Sequence, residues 1–219
     1  MDNNVVLVED TLYSFGGTDG TTAVAEVYAY DTGTGTWDRL ADAPAVVQQS
    51  AEGVIDGQVY LAGSFAGLSA DTWIYDPGTD SWSEGAPMPA GRAAPGSAVL
   101  DGQLYVVGGC TTASCTPMAD TVYRYDPAAD SWETLAPYPE AAAFPSCGAA
   151  TGLLVCTGGV NSSSQGLAAT YAYDPATDTW QQRADMPVDL WASSYTGAND
   201  MLLVSGGAAL NGAVVTNEG

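Results

Sequence analysis

Trp37, Trp82, Trp132 and Trp180 recur at intervals of 45, 50 and 48 residues, and Tyr30, Tyr75, Tyr125 and Tyr173 recur at the same three intervals. A period of this size marks an array in which one supersecondary unit, unable to bury its apolar face alone, stacks on copies of itself. Further features travel with the aromatic pair. Each Tyr is followed by Asp (Asp31, Asp76, Asp126, Asp174), and three of these Asp residues precede Pro. A glycine pair stands upstream in Gly16-Gly17, Gly108-Gly109 and Gly158-Gly159, and Gly206-Gly207 opens a fifth unit. The second unit departs from the pattern with Gly63-Ser64.

Each unit reads as four short strands. In the third, the strands fall at about 97–100, 104–107, 121–125 and 131–134, with bulky residues alternating along them. The first two strands are joined at Asp101-Gly102, and Asp56-Gly57 holds the same place in the second unit; such a pair between apolar runs is a strong two-residue hairpin signal. Thr151-Gly152 and Asn199-Asp200 occupy that place in the fourth and fifth units. The 26 glycines and 12 prolines are spread along all 219 residues, as many turns require.

The runs Leu104-Tyr-Val-Val-Gly-Gly109, Val122-Tyr-Arg-Tyr-Asp-Pro127 and Asp130-Ser-Trp-Glu-Thr-Leu135 resemble the kelch repeat. The resemblance covers nearly the whole chain and implies an all-β fold, a kelch-type β-propeller with four complete four-stranded blades plus a partial fifth. A sialidase-type Asp box fits less well, because here Tyr-Asp follows a strand and the Asp lies six residues before Trp. The blades are expected at about 5–40, 50–85, 97–135 and 147–183, with the partial fifth at about 192–219 and its third strand near 214–215. Kelch rings usually have six or seven blades, so the chain is expected to be a fragment of a larger ring or a small ring completed by another chain. An open arc would leave strand edges and apolar blade faces open to self-association.

The repeated residues are expected to be structural. Trp37, Trp82, Trp132, Trp180, Tyr30, Tyr75, Tyr125 and Tyr173 supply the large apolar contacts between blades. Binding is expected on the face that carries the longer, variable loops between second and third strands (18–25, 65–70, 110–120, 160–169) and between blades (41–49, 86–96, 136–146, 184–191). Its non-repeating aromatics, Phe65, Tyr138, Phe144 and Trp191, are candidate contacts, each weighed against plain blade packing. Arg92 matches a Pro-Arg position of many kelch repeats and is the candidate for an anionic group on a partner, or else the brace of a turn.

Composition narrows the chemistry. With 26 acidic residues against four basic ones, all arginine, the net charge of −22 disfavours nucleic acid and anionic membrane surfaces as partners. No apolar run approaches the roughly 20 residues of a membrane span, so membrane insertion is not expected. The absence of histidine excludes Ser-His-Asp and Cys-His catalysis and imidazole metal sites, and disfavours the copper-radical oxidases of the kelch fold. No metal or cofactor is expected.

Counting outward from the Thr151-Gly152 turn sets Cys147 directly opposite Cys156, and Cys110 and Cys115 share one loop. Both pairs are expected to form disulfides, which require an oxidising compartment. Four buried free thiols in a cytosolic protein are the alternative, and the spacing fits zinc poorly.

The resemblance, similar to bacterial extracellular kelch domains of which some are appended to subtilisin-like proteases, implies a secreted, non-catalytic scaffold for a protein or glycan. The alternative is a carbohydrate-active epimerase or hydrolase using carboxylates. A buried carboxylate pair with displaced pKa values on the ring axis would favour it.

Overall fold

The computed structural model describes residues 3–198 and 200–209. Blade 1 is built from β1 (Asn4–Val8), β2 (Thr11–Phe15), β3 (Val27–Asp31) and β4 (Thr36–Arg39). Blade 2 holds β5 (Ala51–Ile55), β6 (Gln58–Ser64), β7 (Ser69–Asp76) and β8 (Ser81–Gly85). Blade 3 holds β9 (Gly96–Leu100), β10 (Gln103–Val107), β11 (Val122–Asp126) and β12 (Ser131–Leu135). Blade 4 holds β13 (Ser146–Ala150), β14 (Leu153–Thr157), β15 (Thr170–Asp174) and β16 (Thr179–Gln182). A two-stranded sheet, β17 (Ser194–Ala198) and β18 (Met201–Ser205), begins a fifth blade. Each four-stranded sheet is an antiparallel meander in chain order. The fold is a kelch-type β-propeller of four blades and a partial fifth. The third strand expected near 214–215 lies outside the described residues.

Local chemistry explains the meander. Asp56, Asp101 and Thr151 take φ values of 49°, 52° and 52° at the first turn position, each followed by glycine at positive φ, the geometry that matches the twist of paired strands. At the outer hairpin, the Asp after each repeated Tyr starts an Asx turn: Asp76 Oδ1 accepts from Gly78 N at 2.8 Å and Asp126 Oδ1 from Ala128 N at 2.9 Å.

The core lies between blades. Each repeated Tyr sits directly opposite its Trp across the third and fourth strands, with ring centroids 4.9 Å apart for Tyr75–Trp82, 5.0 Å for Tyr125–Trp132 and 5.2 Å for Tyr173–Trp180. These three tyrosines are fully buried. The tryptophan indoles reach the preceding blade: Trp82 Nε1 donates to Ala41 O at 3.1 Å, Trp132 Nε1 to Ala86 O at 2.8 Å and Trp180 Nε1 to Ala136 O at 3.1 Å.

A carboxylate closes the same joint. Asp80, Asp130 and Asp178 accept from the phenols of Tyr75, Tyr125 and Tyr173 at 2.8, 2.6 and 2.7 Å. They also accept from the backbone N–H of Ala41, Ala86 and Ala136 at 3.0, 2.6 and 2.8 Å. The hydrogen bond to Tyr125 and that to Ala86 N hold Asp130 below the usual carboxylate range, and Asp178 is lowered by Ala136 N and Tyr173.

Blade 1 corrects the expectation of uniform packing. Trp37 is 55 % exposed, and Gly35 stands where the others carry Asp. Tyr30 still packs on Trp37 at 5.1 Å.

Candidate binding face

The glycine pairs set where the loops go. In Gly108-Gly109, φ is 66° and 99°, and a Cβ on Gly108 would run into the carbonyl of Ala142. Gly109 N donates to that carbonyl at 2.8 Å, and Gly159 N donates to Leu190 O at 2.8 Å. Each inter-blade loop is thereby pinned across the end of the second strand of the blade it leaves. The residue that follows bridges to the one after the glycine pair: Ala93 with Cys110, Ala143 with Val160, Trp191 with Ala208. In blade 2, where Ser64 replaces the second glycine, Ser64 Oγ accepts from Gln48 N and donates to Val46 O, each at 3.1 Å.

One residue further on, Gln49, Ala94, Phe144 and Ala192 share positive φ values of 49°, 49°, 57° and 52°. Ala94 N donates to Gln49 O at 2.8 Å and Phe144 N to Ala94 O at 2.7 Å, so these loops are linked around the axis. A phenylalanine in the left-handed region is costly, of order 1–3 kcal/mol, and such outliers cluster at ligand sites. Here the strain aims the Phe144 ring at Trp191, 5.5 Å away and edge-on. Phe65 and Phe144, with Leu68, Cys115 and Met118, lie half-buried against a small cluster of Ala93, Ala94, Cys110 and Ala143.

Of the residues singled out from sequence, Phe65, Phe144 and Trp191 therefore come together as a half-exposed apolar patch. Arg92 and Tyr138 do not join them. Arg92 is 6 % exposed; it donates to Thr121 Oγ1 at 2.7 Å and Tyr123 OH at 3.2 Å, and lies 5.3 Å from the Tyr123 ring centre. It braces β11 instead of facing outward. Tyr138 is buried between blades 3 and 4, packed edge-on against Tyr171 and Trp180. Burial raises its phenol pKa, and the nearby Glu140 carboxylate adds to the rise.

Beside the patch lies an open groove of about 360 Å³, lined by Glu140, Ala141, Asn161, Ser162, Ser163 and Leu167. Ser162 Oγ joins it to the patch by accepting from Met118 N at 2.9 Å.

A second polar cluster lies on the axis. The second residues of the five first strands are Val5, Glu52, Ser97, Cys147 and Tyr195. Ser97 N donates to Tyr195 OH at 3.1 Å, and Ser97 Oγ donates to Glu52 O at 3.0 Å. Asn4 Nδ2 donates to Glu52 Oε2 at 2.8 Å, so blades 1, 2, 3 and 5 meet in one network. Burial pushes Glu52 up to about 7, against the pull of the Asn4 and Val5 hydrogen bonds. Burial likewise raises Tyr195, and the neighbouring Glu52 carboxylate adds to the rise. Among the described residues, the axis thus carries one displaced carboxyl, where the enzyme alternative asks for a pair.

The cysteine pairs stand at disulfide distance. Cys147 and Cys156 are register partners with Cα atoms 4.2 Å apart, and Cys110 and Cys115 are 4.4 Å apart. Among the described residues, no group of three His, Cys, Asp or Glu side chains converges as a metal site.

Sequence reasoning missed Glu52, Asn4, Tyr195 and Glu140. Glu52 had a readable signal, a carboxylate inside a first strand where the other units place valine, serine, cysteine or tyrosine. Nothing local distinguishes Glu140 from the many carboxylates of the loops.

Comparison with known proteins agrees with this architecture. The sequence model of the Attractin/LZTR1 β-propeller family matches residues 1–169. Among solved structures, the one titled "Structure of YjhT" superposes with a TM-score of 0.87 at 18 % identity, over 98 % of this chain and 79 % of that chain. No curated protein sequence matches.

Proposed function

Because this chain belongs to the Attractin/LZTR1 β-propeller family, we propose that it is a non-catalytic interaction scaffold whose loop face binds a protein partner. One observation carries the reading. Among the described residues, the buried side-chain polar atoms without a hydrogen-bond partner are Arg92 Nε, Glu140 Oε2 and Trp191 Nε1, and all three belong to inter-blade loops. Folded proteins pair such groups almost everywhere; Arg92 Nε is turned inward onto β11, while Glu140 Oε2 beside the groove and Trp191 Nε1 in the aromatic patch suit a ligand that completes them. The apolar patch of Phe65, Phe144 and Trp191 beside them supplies the aromatic anchors on which interfaces concentrate their energy. The two cysteine pairs at disulfide distance support an oxidising, extracellular setting.

The test is a screen of secreted-protein and glycan arrays with the native chain, Trp191→Ala and Phe144→Ala. The scaffold reading expects a protein ligand whose binding weakens at least about tenfold in each variant, the scale of an aromatic hot spot. Binding unchanged in both variants overturns the choice of face, and a glycan as the sole ligand overturns the choice of partner.

The axial Glu52 favours a second reading, carboxylate-dependent action on a carbohydrate. Turnover of a glycoside panel that disappears in Glu52→Gln would replace the scaffold reading.

A further inference from the structure

We propose that the groove between the inter-blade loop of blade 3 and the second loop of blade 4 takes a basic side chain, lysine or arginine, of the partner protein. This rests on the loop face being the binding face, and it names what the partner must present there.

Glu140 is the reason. Its Oε1 accepts from Tyr171 OH at 3.3 Å, while Oε2 is buried and meets no donor among the described residues. None of the ion pairs among the described residues involves Glu140. A buried carboxylate oxygen left without a donor is costly, and a cationic N–H donor relieves it best.

The rest of the groove has its hydrogen-bonding groups largely engaged. Asn161 Nδ2 donates to Gln165 Oε1 at 3.2 Å, and Asn161 Oδ1 accepts from Ser163 N at 3.0 Å and Gln165 N at 3.1 Å. Ser162 Oγ accepts from Met118 N. A hydroxyl-rich sugar needs matched donors and acceptors, whereas here the open demand is for a donor to a carboxylate.

The surroundings favour positive charge. The Asp185 carboxylate also acts on Tyr171, and a side chain at Gly166 would meet the Asp189 carboxylate. Ala141 and Leu167 offer apolar wall for the methylene stem that lysine and arginine lay along such surfaces. The link through Ser162 sets the groove next to the aromatic patch. The structure therefore asks for a basic residue flanked by apolar ones.

The experiment titrates the isotopically labelled full chain with N-acetyl-arginine methylamide and N-acetyl-lysine methylamide, following backbone amides by NMR. It is run at physiological ionic strength, where distant charges are screened beyond about 8 Å. The inference expects saturable shifts centred on Ala141, Asn161, Ser162 and Ser163. Glu140→Gln should weaken them at least about tenfold, the worth of one charge-assisted hydrogen bond. Tyr171→Phe, which frees the second carboxylate oxygen, should tighten binding.

Shifts spread over the acidic surface and indifferent to Glu140→Gln would overturn the inference. So would shifts of these amides by N-acetylglucosamine but by neither cation, or a Tyr171→Phe that weakens binding as Glu140→Gln does. Failure here is separable from failure of the scaffold reading. A partner lost in Trp191→Ala yet bound equally by Glu140→Gln leaves the face correct and the groove wrong.

Discussion

At the scale of single residues, the same side-chain type takes opposite roles according to its burial and donors. Asp19, on an exposed loop, is held at about 2 by the backbone N–H groups of Thr22 and Thr21. Glu52, shielded on the axis, is driven up to about 7 by loss of water. Its pKa rises on folding from 4.5, so between these values the folded protein holds a proton that the unfolded chain has released. The stability this provides is complete below about 4.5 and is lost as the pH climbs through 7. Glu52→Gln removes the titration while keeping an acceptor for Asn4. Unfolding free energies from urea titrations at pH 4.5 to 8 should show a decline of about 3 kcal/mol in the native chain that is absent in the variant. Equal slopes would contradict the placement of Glu52.

At the scale of the element, the blade joint is the unit of design. The Asp in each Asp-Ser-Trp or Asp-Thr-Trp run ties its own Tyr to the backbone of the blade before, whereas the Asp after Tyr only starts a turn. Asp130→Ala should therefore lower the thermal midpoint clearly more than Asp126→Ala does. Calorimetry of the two variants decides, and equal losses would contradict the joint.

This division also shows what could be read in advance. Strands, hairpins, the Tyr–Trp pairing and the Cys147–Cys156 register follow from alternation and turn chemistry, which are local. The partner of Asp130 is Ala86, 44 positions away, and nothing in the local sequence names it. For Arg92 and Tyr138 the sequence left contact and packing both open for the same reason. Their loop addresses are legible, but whether a loop side chain turns outward or between two sheets depends on the neighbouring blade. Phe65, Phe144 and Trp191 converge because the glycine pairs pin successive loops around the axis, a long-range consequence of short-range signals.

At the scale of the whole molecule, large apolar side chains stand exposed on blade 1 and on β18. Val5, Leu7 and Trp37 on blade 1 are 40 %, 58 % and 55 % exposed, and Met201 and Leu203 on β18 are 52 % and 49 % exposed. Apolar faces of this kind favour association, opposed here by a net charge of −22. Sedimentation should show self-association that strengthens as salt screens the charge and weakens in the double variant Leu7→Ser, Trp37→Ser. Association unaffected by the double variant would place the contact elsewhere.

The charge and the loop face together form the central claim, that this acidic propeller works by holding a protein against one end of its ring. The direct measurement is site-specific photo-crosslinking in both the lysate and the culture medium of the source cells. A photoreactive phenylalanine is placed at Ser162 or Phe65 on the loop face, or at Gly102 or Gly152 in the opposite turns. The account predicts a discrete protein adduct from the first two positions and none from the last two. Adducts from the opposite turns, or from no position, would contradict it.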